Sequence, residues 1–427
     1  MKTRETWKSS IGFTLAAAGS AVGLANIWKF SYVVGEHGGA AFLAVYFLCL
    51  LLIGVPVLFA ELSVGRKSSC SAVLAYTALS TRWGRYIGGW TFLTALIVSG
   101  FYASVAGWVL GYAVDAAQAL WVGKRSFVNL SNLTDSPSLS IFFHGFFVLI
   151  CSWVVCLGVQ KGVEKVSLFG MPFLLILLFF TMIWSLLQPG ALAGVVYVLN
   201  PDWSALSPQA FLTALGHAFF TLSLGQGTMM TYGSYLPSDV SMKKSLLRIV
   251  SLDTLISVMA AVMIFACAGA VGIQPDAGPS LLFETLPRAF DILPFGSVFN
   301  LFFFVLVALA AITSEISVME IIASYFTEHY HYSRKKAGLL TGSLSFLVGL
   351  PAALSANMLS HIQFFSKGIL EFMDWAATSI FIPMGGLFAV MAFMGLEKNM
   401  SYLKRVFFGF IAPAGILIIF VCGLFTS

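Results

Sequence analysis

The sequence predicts an all-α polytopic membrane protein with eleven transmembrane helices. Three observations predict it. Of the 427 residues, 59% are hydrophobic and 10% charged, where soluble domains carry about 25% charged residues. The apolar runs recur along the whole chain, and each is long enough for a helix of roughly 20 residues, the length that crosses a bilayer. Mean hydropathy is accordingly high, at +0.92. Finally, two runs five spans apart are interrupted by small residues. Such a pair of broken helices points to two inverted repeats of five helices with a binding site between them. The repeats are expected at about 8–190 and 206–395, with an extra helix at 404–426, inside one transmembrane domain covering 1–427.

Helices are expected near 11–31, 38–63, 88–120, 139–158, 164–188, 208–236, 246–272, 296–326, 337–354, 363–394 and 405–425. In the first span, Ala17-Ala18-Gly19-Ser20-Ala21-Val22-Gly23-Leu24-Ala25 is poor material for a rigid helix, because Gly19 and Gly23 lower helix propensity. Asn26 and Lys29 then place an amide and a charge near membrane depth. Backbone opened at that depth is tolerated where it lines a cavity, so this stretch is a candidate ion and substrate site. Lys2, Arg4 and Lys8 followed by Ala16-Ala17-Ala18-Gly19 also resemble a cleavable leader. The intervening apolar run is short and Ala-rich, so we expect the segment to be retained as a span.

Span two carries Glu61 and span three Phe101-Tyr102. Span five holds Gly162 and Pro172, where the proline removes a helical hydrogen bond. It opens either a plain kink or a path for water. Span six repeats the interruption in Phe219-Phe220-Thr221-Leu222-Ser223-Leu224-Gly225-Gln226-Gly227. Asp253 and Ser257 lie one turn apart on span seven. The segment 272–294, with Gly278-Pro279 and an apolar run at 281–290, reads as a re-entrant hairpin or as a surface loop. Span eight carries Thr313-Ser314-Glu315 and Glu320, and span ten carries Glu371 and Asp374. Carboxylates inside membrane spans are rare and default to function. Glu61 and Glu320 are expected to serve structurally, as buried acceptors. Asp253, Thr313 and Ser314 offer hard oxygen ligands for a cation such as sodium.

Eighteen of the 23 Lys and Arg residues fall in loops on the N-terminal side of the membrane and four (Lys124, Arg125, Arg288 and Lys367) on the other. The positive-inside rule then puts the N-terminus in the cytoplasm and the C-terminus outside, in the cell (inner) membrane. The net charge of +5 comes with no basic cluster interleaved with aromatics, so no nucleic acid partner is expected. The six cysteines show no CxxC spacing, and neither disulfides nor a cysteine metal site are expected. His329 and His331 read as a solvated or satisfied loop pair. The chain holds no HExxH and no recognisable Ser/His/Asp constellation, so it is not expected to be an enzyme.

The run Arg4…Trp7…Gly19-Ser20-Ala21-Val22-Gly23-Leu24-Ala25-Asn26-Ile27-Trp28-Lys29-Phe30 closely resembles the first span of the neurotransmitter:sodium symporters, which have the leucine-transporter fold. His37-Gly38-Gly39-Ala40-Ala41-Phe42, Gly54-Val55-Pro56, Glu61…Gly65-Arg66, the span-six run, Gly278-Pro279…Phe283…Leu286-Pro287 and Thr313-Ser314 extend the resemblance over essentially the whole chain. It resembles a bacterial amino acid transporter of that family, with one span fewer than the usual twelve. The resemblance implies two sodium sites. The first would use Ala21, Asn26, Thr221 and Asp253 with the substrate carboxylate. The second would use carbonyls of Gly19, Val22 and Ala310 with the hydroxyls of Thr313 and Ser314. It implies substrate contacts from Ala21, Leu24, Ala25, Val98, Tyr102, Phe220, Thr221, Ser223, Gln226, Ser314 and Val318. It also implies an outer gate of Lys29 with Asp374 and an inner gate of Arg4 with Glu328.

Monoamine carriers of the family have an Asp where this chain has Gly23, which leaves room for a substrate carboxylate. A sodium-coupled symporter of small or medium neutral L-amino acids is therefore expected. Asp253 stands where the family usually has Asn, and Ser257 stands at its chloride-linked position. A carboxylate there would make chloride superfluous, or would titrate and give proton antiport. The competing reading is a sodium-binding amino acid sensor or channel-like protein on the same scaffold. Ala25, Lys29 and Gln226 depart from the residues usual in the family.

Overall fold

The computed structural model of the chain describes residues 5–79, 82–122, 130–272, 281–397 and 399–425. Among them nine continuous helices are long and apolar enough to cross a membrane: Ala40–Ser68, Gly84–Val122, Pro137–Cys156, Val159–Leu186, Met242–Val271, Gly296–His329, Arg334–Ala353, Ile369–Leu396 and Tyr402–Phe425. The first span is a tenth crossing only as a bent pair, Ser10–Ala21 with Ala25–Glu36, whose axes differ by 59°. The sixth is two short helices, Pro208–Thr221 and Thr228–Ser234. At 14 and 7 residues neither half reaches across a bilayer alone.

Both breaks have local causes. Ser10–Ala21 ends where Val22 turns extended, at φ −78° and ψ 100°. Gly23 follows because a Cβ there would come within 3.1 Å of the Tyr102 hydroxyl and 3.2 Å of Ser314 Oγ. In span six, Ser223, Gly225 and Gly227 take positive φ values of 53°, 77° and 91°, a region that favours glycine. Glu61 Oε1 accepts from the freed Gly225 N–H at 2.6 Å. Glu320 accepts from the Tyr235 hydroxyl at 2.7 Å and from Arg334. Both carboxylates thus serve as buried acceptors.

Proline shapes several other spans. Wide, π-helical turns occupy Leu50–Gly54, Leu281–Thr285, Ala377–Phe381 and Phe407–Ile411, each two residues before a proline (Pro56, Pro287, Pro383 and Pro413). The proline ring collides with the carbonyl four residues back. At three of these turns the residue before the proline donates five residues back instead: Val55 to Leu50, Ile382 to Ala377 and Ala412 to Phe407. Pro172 lies inside the helix Lys165–Leu186, which begins from another wide turn, Val159–Glu164, containing Gly162.

The structure corrects some expectations. Span ten starts at Ile369, because Gln363–Phe364 and Lys367–Gly368 pair as a small antiparallel hairpin. Phe365 and Ser366 between them take φ of 51° and 62°, which a helix cannot absorb. Glu371 is consequently an exposed residue of the first helical turn, accepting from Gly368 N–H at 3.2 Å. Short helices at Ala72–Ala78, Leu130–Thr134 and Ala191–Leu199 were not anticipated. Of the segment 272–294, Gly278-Pro279 lies outside the described residues. Leu281–Ile292 is helical and mostly buried, with Phe283 packed on Trp28, Trp108 and Tyr112. This part is no surface loop.

Candidate functional site between two broken helices

The two breaks face each other across one cavity. Its walls are Ser20, Ala21, Gly23, Leu24, Ala25, Asn26, Val98, Tyr102, Phe220, Thr221, Ser223, Gln226, Ser314 and Val318. All eleven expected substrate contacts are among them. The cavity measures about 20 Å³, room for one water molecule, so a larger occupant requires its walls to part. The breaks are stitched together by serines: Ser223 Oγ donates to Ser20 O at 2.7 Å and Ser314 Oγ to the same carbonyl at 3.2 Å. Ser20 Oγ shares a 2.8 Å hydrogen bond with Ser317 Oγ. Leu24 N–H, freed by the first break, donates to the Tyr102 hydroxyl at 3.3 Å. Ser20 was not anticipated as this hub; only its place in the small-residue run signalled it.

Asn26, Thr221 and Asp253 also come together, fully buried. Asn26 Nδ2 lies 2.6 Å from Thr221 Oγ1, 2.7 Å from Asp253 Oδ1 and 2.9 Å from Ser257 Oγ. Thr221 Oγ1 donates to Asp253 Oδ1 at 2.9 Å. The amide has two hydrogens for three oxygens, while Asn26 Oδ1 is taken by Gly23 N–H at 3.0 Å. The expected ligand role of Asn26 needs an oxygen where its nitrogen now stands. Turning the amide over would supply it and release the Gly23 contact. Asp253 Oδ2 is buried and has no hydrogen-bond partner. An unpartnered carboxylate oxygen beside hydroxyls is a donor set that suits a hard cation.

Gly19 packs on Thr313, since a Cβ on Gly19 would lie 3.1 Å from Thr313 Cβ. Val22 and Ala310 are buried in the same core. Thr313 Oγ1 turns back to Leu309 O at 3.0 Å and Ala310 O at 3.1 Å, and Ser314 is bonded to Ser20. The five positions expected to form a second cation site thus sit on two adjoining elements, with their hydroxyls engaged by carbonyls.

A second, larger cavity of about 370 Å³ lies against Phe220, which borders both cavities. Lys29, Glu36, His217 and Thr378 also line it. No ion pair within 4.0 Å joins Lys29 to Asp374. The expected outer gate is unmade in this structure. His217, which sequence reasoning passed over, stacks on Phe30 at 5.3 Å and lies 5.7 Å from Tyr46. Both its ring nitrogens and the Tyr46 hydroxyl are buried without hydrogen-bond partners. Its place one turn before Thr221 was the available signal.

At the opposite end of the bundle, Trp7 Nε1 donates to Tyr232 O at 3.0 Å and Trp7 N–H to Tyr235 O at 3.2 Å. Arg334 makes a two-pronged contact with Glu320. Glu164 accepts from the N–H groups of Lys8 and Ser9. Of the expected inner gate, Arg4 lies outside the described residues, while Glu328 Oε2 accepts from Ser71 N–H at 2.7 Å. Sequence reasoning counted Arg334 only as a loop charge.

A bundle of membrane-length helices, two of them broken around one buried polar cavity, defines a secondary transporter of the broken-helix class. The comparisons with known proteins make the assignment. The Sodium:neurotransmitter symporter family matches residues 4–136 and 132–425, and the chain belongs to that family. It is similar to the sodium-dependent transporter YhdH of Bacillus subtilis, with 36% identity over 97% of this chain and 96% of that one. It is also similar to the human sodium- and chloride-dependent creatine transporter 1, with 25% identity over 83% of this chain and 66% of that one. Among solved structures, MhsT in complex with L-phenylalanine matches with a TM-score of 0.87 and 36% identity, over 99% of this chain and all of that one. The chain is therefore a multi-pass, sodium-dependent symporter, of a family of transporters rather than enzymes.

Proposed function

We propose that the protein carries small or medium neutral L-amino acids together with sodium by alternating access, without need of chloride. The observation that carries this reading is the meeting of the Asn26–Thr221–Asp253 cluster with the cavity between the broken helices. The chemistry of an amino acid suits such a place once its walls part. Freed N–H groups at a half-helix N-terminus suit its carboxylate, and freed carbonyls suit its ammonium. Gly23, where a Cβ would crowd the Tyr102 and Ser314 hydroxyls, keeps the carboxylate's place open. The likeness to MhsT, solved with L-phenylalanine, supports an amino acid as substrate.

Two sodium ions are proposed, one at Ala21, Asn26, Thr221 and Asp253, the other at Gly19, Val22, Ala310, Thr313 and Ser314. A sodium ion and a zwitterion leave one excess positive charge at the first position. Opposite unit charges 4 Å apart interact by about 4 kcal/mol at an effective dielectric of 20, so the Asp253 carboxylate takes the place of a bound anion. The eleven spans, the 5+5 repeat, the cytoplasmic N-terminus, the gates and the cell-membrane location belong to the same reading. Uptake by proteoliposomes, with and without a sodium gradient and with chloride replaced by gluconate, tests it. Sodium-driven uptake that persists in gluconate is expected. Equal uptake without sodium would leave the sensor or channel alternative, and loss of uptake in gluconate would end the chloride-independent part.

A further inference from the structure

The polar side chains around the small cavity are not equally occupied. Ser20, Asn26, Tyr102, Thr221, Ser223 and Ser314 each have a hydrogen-bond partner. Gln226 alone among the cavity's hydrogen-bonding side chains has none among the described residues, although it is only 6% exposed. A buried primary amide offers two donors and two acceptor lone pairs, and leaving them unmade is costly.

The main chain does not let this amide withdraw. Gly225 N–H is held by Glu61, and a Cβ on Gly225 would lie 2.0 Å from Ile382 O. On the other side, a Cβ on Gly227 would lie 2.5 Å from Thr91 Cγ2. The loop is pressed against its neighbours at both glycines, and Gln226 between them is left at the cavity wall with Val98, Phe220 and Val318. Those three are apolar, so they discriminate weakly between side chains of similar shape. A buried polar group discriminates strongly, because an apolar occupant leaves it unpaired.

We propose that Gln226 is the specificity-determining residue of this transporter and that it selects neutral amino acids whose side chain carries a hydroxyl or carboxamide over apolar ones of the same shape. This rests on the amino acid reading above and names the substrate class within it. The side-chain amide of Gln226 donates to, or accepts from, the polar end of the substrate side chain. Phe220, Val98 and Val318 enclose the substrate's stem.

The experiment is equilibrium binding to the purified full-length protein in sodium, using matched pairs: L-threonine against L-valine, and L-glutamine against L-methionine. The expected result is at least a tenfold advantage for the polar member of the pair that binds. Gln226→Met, of similar size without the amide, should reduce that advantage to threefold or less. Gln226→Glu, which keeps acceptors and loses donors, serves as the second variant, and there L-glutamine should lose affinity relative to L-threonine. An apolar member that binds as tightly as its polar partner overturns the proposal, as does an unchanged ratio in a variant that elutes as the parent does. Either result leaves amino acid symport standing. If no amino acid binds in sodium, the amino acid reading falls and takes this inference with it.

Discussion

Where Trp7, Tyr235, Glu320 and Arg334 meet, the ends of spans one, six, eight and nine are joined by buried hydrogen bonds and a charged pair. At the opposite end, Lys29 borders a cavity of about 370 Å³ and makes no ion pair with Asp374. Each end carries a basic and an acidic residue. They differ in burial. Glu320 is fully buried and Arg334 largely so, with side-chain exposures of 0% and 18%. Asp374 is only partly buried. A buried charge whose partner is removed is expensive, whereas a less buried pair forms and breaks more cheaply. We propose that the first end acts as a lock and the second as a gate.

The largest test of this contrast is Arg334→Met, which strands Glu320 and should cost about 3–5 kcal/mol of stability. Thermal unfolding of the purified protein would register this as a much lower midpoint. Cysteines placed at the Tyr235 end of span six should also react faster. A midpoint within a degree or two of the parent would show that the lock carries no load.

Between the two ends, Asp253→Asn removes the carboxylate from the Asn26–Thr221 cluster. Sodium affinity is expected to fall more than tenfold, since a charge interaction of about 4 kcal/mol is lost at 4 Å and a dielectric of 20. Sodium titration of substrate binding measures this, and the same variant should become chloride-responsive. A smaller effect belongs to Trp7→Phe. It keeps the ring contacts with Phe13 and Tyr232 but loses the hydrogen bond to Tyr232 O. A loss of about 1–2 kcal/mol is expected. An unfolding midpoint equal to that of the parent would exclude Trp7 from the lock.

Asp374→Asn should change stability least, by less than about 0.5 kcal/mol, while uptake falls severalfold. A variant that instead melts early would make Asp374 structural and erase the contrast between the ends.

The sequence by itself carried the spans, both breaks and the membership of the cavity. The spans and breaks rest on local chemistry, namely apolar length and small residues where a helix cannot continue, whereas the cavity residues Ala21, Tyr102, Thr221 and Ser314 came from the resemblance to the symporter family. The wide turns were legible too, had the prolines at 56, 287, 383 and 413 been read for the carbonyls they displace. The glycine-containing turn at 365–368 likewise signalled that span ten starts late.

What only the tertiary structure decided is which polar groups meet. Arg334 reaches Glu320 rather than water, Asn26 turns its nitrogen toward Asp253, Lys29 stands apart from Asp374, and Gln226 has no partner among the described residues. Asn26 and Asp253 are 227 positions apart in the chain. Helix periodicity fixes the face a residue occupies but not the distance between two faces. Hydrogen bonds change from made to unmade within about 1 Å, so the pairing is set by how the helices pack.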